Sequence, residues 1–459
     1  MRLGQERDEG PSGATAQPAR FDRFIRHSLI GLLVRAVEVA TKLALYMLAA
    51  RLMGERESGL LFLALTWGHL ASTASRLGVE RALMRLVAAE LALGQGRAAR
   101  RLLIGGTLAT TGVGLIVGLA TMLSAPLAAQ YLFHDPSVAA PLRMSGMVIP
   151  GMTAAFTLAN VLTGLDRTTL AQILQNVVWP MGLLTGVLAG EHDAAALVLS
   201  LAATMLLTTV IGILGIVRDR GRLSHDATLP AGVEALPSLR TTAAPLYVVE
   251  LVQVSIASLP VLILGVYVDT ASISLFSVAL RASMLALVIL ISLGTVAAPR
   301  FAGLHRQGDL GLGALNRRVQ IGGAVIGGGL CLVLALGARP LLSVVGAGYV
   351  GGAGVLTLLA LGQMANALYA AQDVLLAMTG HGAALRLLNL VQLTTILVLS
   401  FLLIPRFGLL GAAVATALTT AQGGIGTAMA ARMLVPQAAP LFVPPPPQLF
   451  RTFFMRFAQ

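Results

Sequence analysis

Apolar stretches recur along the whole chain and alternate with short polar segments. A helix of roughly 20 apolar residues crosses the hydrocarbon core of a bilayer. The stretches lack the alternating pattern of membrane β-strands, and backbone polar groups in lipid must be bonded internally, so we predict helices. The predicted spans are twelve, at 28–50, 59–79, 102–124, 142–165, 170–189, 194–217, 241–264, 271–296, 319–338, 353–378, 384–404 and 408–431.

Composition supports a polytopic all-α membrane protein. Hydrophobic residues make up 56% of the chain, charged residues 11%, and the mean hydropathy is +0.83, whereas soluble domains carry about 25% charged residues. The longest gaps between predicted spans, such as 80–101, are too short for a soluble domain. The polar residues 1–23 are predicted to be a disordered tail.

The arginines indicate an orientation. With the N-terminus in the cytoplasm, 23 Lys or Arg fall in or at the edge of inside segments, five in or at the edge of outside segments and four deeper within spans. Because cytoplasmic loops of membrane proteins are rich in Lys and Arg, this bias predicts that both termini are cytoplasmic. It also explains the net charge of +12 without a nucleic-acid partner.

The two halves of the chain share a pattern. In each copy a span ends in Leu-Gly, an Arg follows, and an amphipathic stretch ends in Arg-Arg; the copies are 59–102 and 274–319. Six spans per half make the repeats parallel, which predicts two six-helix lobes around a central cavity. The predicted organisation is a disordered cytoplasmic tail (1–23), an N-terminal lobe (24–222), a cytoplasmic linker (223–240), a C-terminal lobe (241–432) and a Pro-rich interfacial tail (433–459).

Three charges interrupt the first predicted span. Arg35, Glu38 and Lys42 are spaced by three and four residues, so they share one helix face. A charge facing lipid at mid-bilayer costs at least about 2.5–3.5 kcal/mol, so this face must contact protein or water. Glu38 could neutralise one of its neighbours in an internal ion pair. Two cations against one carboxylate nevertheless favour a face that lines a cavity.

Other polar residues recur at helical spacing within predicted spans. His69 and Arg76 share a face of the second span, although a lone membrane histidine is often a packing residue and Arg76 can reach the interface by snorkelling. Ionisable residues within a membrane are functional hypotheses by default. The later spans contribute Glu250, Arg281, Gln363, Asn366 and Asp373.

Several functions are disfavoured by the absence of their motifs. With Lys42 as the single lysine, the sequence has no GxxxxGK[ST] nucleotide loop. The seven His residues are scattered without the spacing of a metal site, and the single Cys331 excludes an intramolecular disulfide. We predict no catalytic residues, no enzyme activity and no bound cofactor.

Two stretches resemble the polysaccharide and lipid-linked oligosaccharide flippases of the MOP (multidrug/oligosaccharidyl-lipid/polysaccharide) exporter superfamily, including O-antigen flippases. They are "AARLMGERESGLLFLAL" (49–65) and "LLIPRFGLLGAAVATALT" (402–419). Glu55 stands where that family commonly has Pro, and Phe407 where it has Tyr. The loop after the second span does not match the motif of major facilitators. The resemblance extends over about 24–432, nearly the whole chain.

The resemblance implies a flippase that moves undecaprenyl-diphosphate-linked oligosaccharide from the cytoplasmic to the outer leaflet of the bacterial inner membrane by alternating access. It implies a cavity lined by the first, second, seventh and eighth spans, in which Arg35, Lys42 and Arg281 hold the diphosphate. The expected substrate cavity comprises Arg35, Glu38, Lys42, His69, Arg76, Arg281, Gln363 and Asn366. Candidates for coupling to H⁺ or Na⁺ are Glu38, Glu250 and Asp373. Expected partners are the lipid-linked oligosaccharide, membrane lipids, a polysaccharide polymerase and other assembly proteins.

Three alternatives stay open at this point. A multidrug exporter of the same superfamily would need an acidic or aromatic cavity, whereas aromatic residues are 5% of this chain. A peptidoglycan-precursor flippase is associated with two additional helices beyond the twelve predicted here. A non-transporting subunit or enzyme of polysaccharide synthesis is disfavoured by the lack of a catalytic constellation.

Overall fold

The computed structural model describes residues 16–226, 237–309, 311–441 and 443, with side chains described from residue 34 onward. In these ranges all the regular elements are helices, accompanied by one isolated β-bridge between Gln95 and Asp226. The first half contains α1 (Ala16–Arg76), α2 (Val79–Ala92), α3 (Gly96–Leu127), α4 (Ala139–Gly164), α5 (Thr168–Asn176), α6 (Val178–Leu188) and α7 (Ala194–Val217).

The second half contains nine further α-helices. They are α8 (Leu239–Tyr267), α9 (Thr270–Ser283), α10 (Leu285–Gln307), α11 (Gly311–Gly322), α12 (Gly328–Leu336), α13 (Ala338–Val345), α14 (Ala353–Leu368), α15 (Gln372–Met378) and α16 (Gly382–Leu434). Short π-helical or 3₁₀ turns follow or join these helices at Ala128–Leu132, Pro136–Val138, Gly323–Gly327, Ala347–Gly352 and Pro436–Ala438.

The predicted tails and linker lie partly outside the described residues. Helix α1 begins at Ala16, so it includes residues 16–23 of the segment predicted to be disordered, while residues 1–15 are outside the described ranges. Most of the predicted linker, at 227–236, and the run of four prolines in the predicted tail, at 444–447, are outside them as well.

The helices have the length and surface of membrane spans. Eight helical segments of the described residues are long and apolar enough to cross a bilayer. Large apolar side chains project outward from them; on α3, Leu108, Ile116 and Leu123 are 67%, 70% and 71% exposed. Soluble monomers rarely expose contiguous apolar patches larger than a few hundred Å². The chain is therefore a multi-pass membrane protein.

The predicted spans correspond to helical segments, but several are joined or broken. Helix α1 includes the first two predicted spans, with its helical backbone interrupted at Gly54 (φ 83°). Helix α16 likewise includes the last two, interrupted at Gly408 (φ 53°). The eighth predicted span is divided at Met284 into α9 and α10. The all-α fold is as predicted, and the number of twelve spans stays a prediction.

The helices pack as two lobes, α1–α7 and α8–α16, which meet where α1 and α2 contact α8 and α9. At one end of this boundary both lobes contribute to a single apolar core, in which Phe62 of α1 packs among residues that include Phe276 of α9. At the other end each lobe has its own core, one around Leu83 and Leu162 and the other around Phe301 and Leu375. The lobes are thus joined by apolar packing mainly at one end.

Candidate substrate cavity

A central cavity of about 380 Å³ lies between the lobes. Its walls come from the second half of the chain through α8 and α9, and from the first half through α1, α4, α5 and α6. Along α1 the lining includes Lys42 and Tyr46 and then extends from Leu65 to Arg76. The second of these stretches lies between Ser58 and Gly78, near which the lobes touch on either side of the cavity.

The first of these contacts, here called the serine–tyrosine contact, is made of neutral groups. Ser58 Oγ is 2.6 Å from Ser274 Oγ and 3.1 Å from Tyr349 Oη, and Ser274 Oγ is 2.8 Å from the same Tyr349 Oη. The Tyr349 hydroxyl also donates to the Ala50 carbonyl at 3.2 Å. A Cβ atom placed on Gly59 would lie 1.8 Å from the carbonyl oxygen of Thr270, so no larger residue fits between α1 and α9.

The second, here called the arginine–glutamate contact, is charged. Gly78 lies in a turn (φ 69°) against α8, where an added Cβ would be 2.5 Å from the Ala243 carbonyl oxygen. The guanidinium of Arg81, on α2, forms an ion pair with Glu250 on α8. On the same side of the cavity Arg76 forms an ion pair with Glu80. Glycine at 78 is required both by the positive φ and by the close approach of the backbones.

Cations dominate the cavity lining. Lys42, Arg76 and Arg281 line it, and among the described residues Glu250 is the one carboxylate that does so. Lys42 Nζ lies 2.7 Å from Glu38 Oε1 and 5.5 Å from the centroid of the Trp179 ring. The cavity wall therefore carries more positive than negative charge.

Arg281 is oriented by an aromatic pair from the opposite lobe. Its guanidinium carbon lies 4.7 Å from the centroid of the Tyr46 ring, and Nη2 donates to Tyr46 Oη at 3.2 Å. Tyr46 in turn stacks on Phe62, with ring centroids 4.4 Å apart. Stacking and the hydrogen bond together fix the position of a cation that belongs to α9 against a helix of the first lobe.

Arg76 is held by side chains of its own helix. Nη1 donates to Ser72 Oγ at 3.0 Å and Nη2 to Thr73 Oγ1 at 2.9 Å. The guanidinium lies 5.2 Å from the centroid of the Phe156 ring, and His69 meets the same ring edge-on at 6.3 Å. Arg76 is buried, so snorkelling to the interface does not explain its presence.

The structure places the remaining predicted site residues elsewhere. Glu38 is buried and accepts hydrogen bonds from Arg35 Nη1 at 3.0 Å and from Lys42. Glu38 therefore forms the internal ion pair that was the alternative to a cavity-lining role. Neither Arg35 nor Glu38 lines the central cavity. Gln363 and Asn366 hydrogen bond to each other at 3.0 Å, away from the three cations, because α14 packs within the second lobe against α16.

A second cavity of about 650 Å³ lies in the second lobe. Asn366 and Asp373 line it, together with Gln253, which also lines the central cavity. Asp373 forms no ion pair with another described residue.

Several residues of the central cavity were not predicted from the sequence. Gln175, Asn176 and Trp179 line it from α5 and α6. The available signal was the polar pair followed by a tryptophan in "LQNVVWP" (174–180) within an otherwise apolar span. In the described part of the chain, no group of three or more His, Cys, Asp or Glu residues could hold a metal ion.

Comparison with known proteins identifies the fold. No protein-family model and no curated protein matches the sequence. Among solved structures, the lipid II flippase MurJ in an inward closed conformation is 12% identical with a TM-score of 0.72, covering 89% of this chain and 87% of that one. An inward-facing multidrug resistance MATE transporter is 12% identical with a TM-score of 0.66, covering 89% and 98%.

A third match has its pocket described in its name. It is a MOP superfamily transporter from Pyrococcus furiosus in which "reverse polarity of binding pocket suggests different function"; it is 13% identical, has a TM-score of 0.56 and covers 90% of this chain and 95% of that one. All three are transporters. The chain therefore has the two-lobed, all-helical fold of the MOP exporter superfamily.

Proposed function

We propose that the protein flips undecaprenyl-diphosphate-linked oligosaccharide from the cytoplasmic to the outer leaflet of the bacterial inner membrane, with both termini in the cytoplasm. The observation that supports this proposal is the cavity between the lobes. Lys42, Arg76 and Arg281 line it, and among the described residues Glu250 is the one carboxylate that does so. Contacts between the lobes lie on both sides of this cavity. Alternate opening of those contacts would expose it to one side of the membrane at a time.

The cationic lining suits a diphosphate. Two unit charges 4 Å apart attract by about 4 kcal/mol at an effective dielectric constant of 20, and the guanidinium fork matches phosphate oxygens. Glu38 already holds Lys42 at 2.7 Å, which lowers the net field that a bound anion meets. An arrangement of this kind binds an anionic head group without retaining it permanently.

Ion coupling is assigned to two of the three predicted carboxylates. Glu38 is buried between two cations and is therefore poorly placed to exchange an ion. Glu250 lines the central cavity, and Asp373 lines the second cavity without an ion pair to a described residue. We assign coupling to H⁺ or Na⁺ to Glu250 and Asp373.

A cation-exporting role is the main alternative, since MATE transporters share the fold. Organic cations bind aromatic rings. Here the protein's own cations already occupy three such rings: Lys42 lies over Trp179, Arg76 over Phe156 and Arg281 over Tyr46. Because cations of the protein already contact these rings, a cationic drug is disfavoured and the diphosphate is the better ligand.

The test is the sidedness of lipid-linked glycan in living cells. Cells that lack the gene are complemented with the parent chain or with Lys42→Gln plus Arg281→Gln, and outer-leaflet glycan on spheroplasts is labelled with an impermeant reagent. We expect the double variant to leave glycan inside, with at least about a tenfold fall in the outer fraction, since two charge-assisted contacts are each worth roughly 1.5–3 kcal/mol.

Arg339→Gln is the matched control, because Arg339 is an exposed cation that lines neither cavity. It should transport like the parent chain. Normal sidedness in the double variant would refute the proposal, and efflux of a fluorescent organic cation would then be measured in the same cells.

A further inference from the structure

The cavity in the second lobe has a chemistry of its own. Its walls come from α8, α10, α14, α15 and α16, and its volume of about 650 Å³ lies within the roughly 300–1,000 Å³ typical of ligand pockets. Four carboxamides line it, from Gln253, Asn366, Asn389 and Gln392. No Lys, Arg or His lines it among the described residues, so its wall differs fundamentally from that of the central cavity.

Carboxamides are suited to hydroxyl groups, because each offers two N–H donors and a carbonyl acceptor without a net charge. Part of this capacity is engaged internally: Asn366 Nδ2 donates to Gln363 Oε1, and Gln392 Nε2 donates to the Thr419 carbonyl at 3.3 Å. Asn389 and Gln253 make no hydrogen bond to another residue in the part of the chain that the structure describes. Their donors and acceptors are available to a ligand.

The two cavities meet at α8. Gln253 lines both, one helical turn beyond Glu250. A molecule whose anionic group lies among Lys42 and Arg281 can therefore extend a neighbouring, uncharged group past Gln253 into the second lobe. Apolar side chains such as Leu290 and the carboxylate of Asp373 also line the pocket, but an alkyl chain would leave the amides of Asn389 and Gln253 without hydrogen-bond partners, which costs about 1–3 kcal/mol for each one buried.

We propose that the carboxamide pocket of the second lobe binds the neutral sugar next to the diphosphate, through hydrogen bonds from Asn389 and Gln392 to its hydroxyl groups. The inference rests on the proposed function and deepens it: the cationic cavity recognises the diphosphate that all such substrates share, and the carboxamide pocket recognises the sugar. Selectivity among glycans then resides in the second lobe.

The test compares two probes on the purified protein in nanodiscs. One is farnesyl diphosphate, and the other is farnesyl diphosphate carrying one N-acetylglucosamine. Quenching of Trp179, which lines the central cavity, reports the binding of each probe. On the parent chain we expect the sugar-bearing probe to bind at least about fivefold more tightly, the equivalent of one net hydrogen bond of roughly 1 kcal/mol.

Two single variants locate the difference. Asn389→Ala and Gln392→Ala should each remove most of the advantage of the sugar-bearing probe while leaving the affinity for farnesyl diphosphate unchanged within a factor of two. Asn160→Ala is the matched control, since Asn160 is an amide of the first lobe that lines neither cavity. It should bind both probes like the parent chain.

The outcomes separate the two proposals. If the parent chain binds neither probe, the proposed function fails. If it binds both equally well, the diphosphate assignment stands and the sugar pocket is wrong. Equal weakening of both probes by Asn389→Ala and Gln392→Ala would likewise overturn the sugar pocket. The comparison on the parent chain decides the matter even where a variant does not fold.

Discussion

The two contacts beside the central cavity are built from different chemistry. The serine–tyrosine contact uses hydroxyl groups and a backbone carbonyl, and it adjoins the single apolar core to which both lobes contribute. The arginine–glutamate contact uses charges, and near it each lobe retains a separate core. A large apolar core shared by both lobes accompanies the first contact, whereas near the second the core of the first lobe receives only Leu239 of α8 among the described residues.

This difference determines which contact opens more easily. Separating the first would expose apolar surface at about 25 cal/mol per Å². The second depends on an ion pair whose side chains are 45% (Arg81) and 18% (Glu250) exposed, and ion pairs at a protein surface contribute about 0–1 kcal/mol. We therefore expect the protein to open first at the arginine–glutamate contact, which lies on the cytoplasmic side in the proposed orientation.

The largest effect is expected from Gly59→Ala at the serine–tyrosine contact. The new Cβ would lie 1.8 Å from the Thr270 carbonyl oxygen, so α1 and α9 must separate. In a Cys331→Ser background with Ala257→Cys in the cavity, labelling by an impermeant maleimide from outside should rise about tenfold, since overpacking costs roughly 1–3 kcal/mol.

Gly112→Ala on α3 is its control, because an added Cβ there meets no atom within 4 Å. Its labelling should match that of the parent background. Unchanged labelling in Gly59→Ala would mean that this contact does not seal the cavity.

A smaller effect is expected at the charged contact from Arg81→Glu. The change replaces attraction to Glu250 by repulsion, and labelling of Ala257→Cys from the cytoplasmic side of inverted vesicles should rise about fivefold, as for a loss of roughly 1 kcal/mol. Adding Glu250→Arg should restore slow labelling. Arg85→Glu, an exposed arginine one turn along α2, should have no effect. Equal increases in both single variants would assign the effect to surface charge instead of the contact.

The smallest effect is expected from Tyr349→Phe, which removes one hydroxyl and retains the ring. Its partners Ser58, Ser274 and the Ala50 carbonyl lose a shared hydrogen bond. Hydrogen bonds between membrane helices average about 0.6 kcal/mol, so labelling from outside should rise about threefold. Tyr131→Phe, at an exposed tyrosine, is the control. An increase as large as that of Gly59→Ala would show that hydroxyl groups, not close packing, hold this contact.

Helical spacing predicted much of the fold and part of the central cavity. The apolar stretches correspond to helices, and Lys42, His69, Arg76 and Arg281 all line one cavity. This follows because a polar residue in an apolar helix must avoid lipid, and the space between two lobes offers water. The fold of the MOP superfamily was likewise indicated by motifs of the sequence.

The rest depends on packing that a linear pattern does not contain. Spacing places Arg35 and Glu38 on the face of Lys42, but the two pair with each other and only Lys42 of the three lines the cavity. The sequence repeat pairs Gly78 with Gly294; Gly78 forms a turn at φ 69°, whereas Gly294 lies inside α10. Trp179 was not predicted as a cavity residue because it contacts Lys42, which belongs to a different helix and is distant in the sequence.

One residue described above gives the protein a chemical property of practical use. Lys42 is the single lysine of the chain, so an acylating reagent has one side-chain amine to modify, and that amine lies on the cavity wall beside Trp179. Acylation of Lys42 would add a mass tag to its side chain and remove one positive charge there. The rate of Lys42 acylation, measured by mass spectrometry, therefore reports whether the cavity is occupied, without an engineered label.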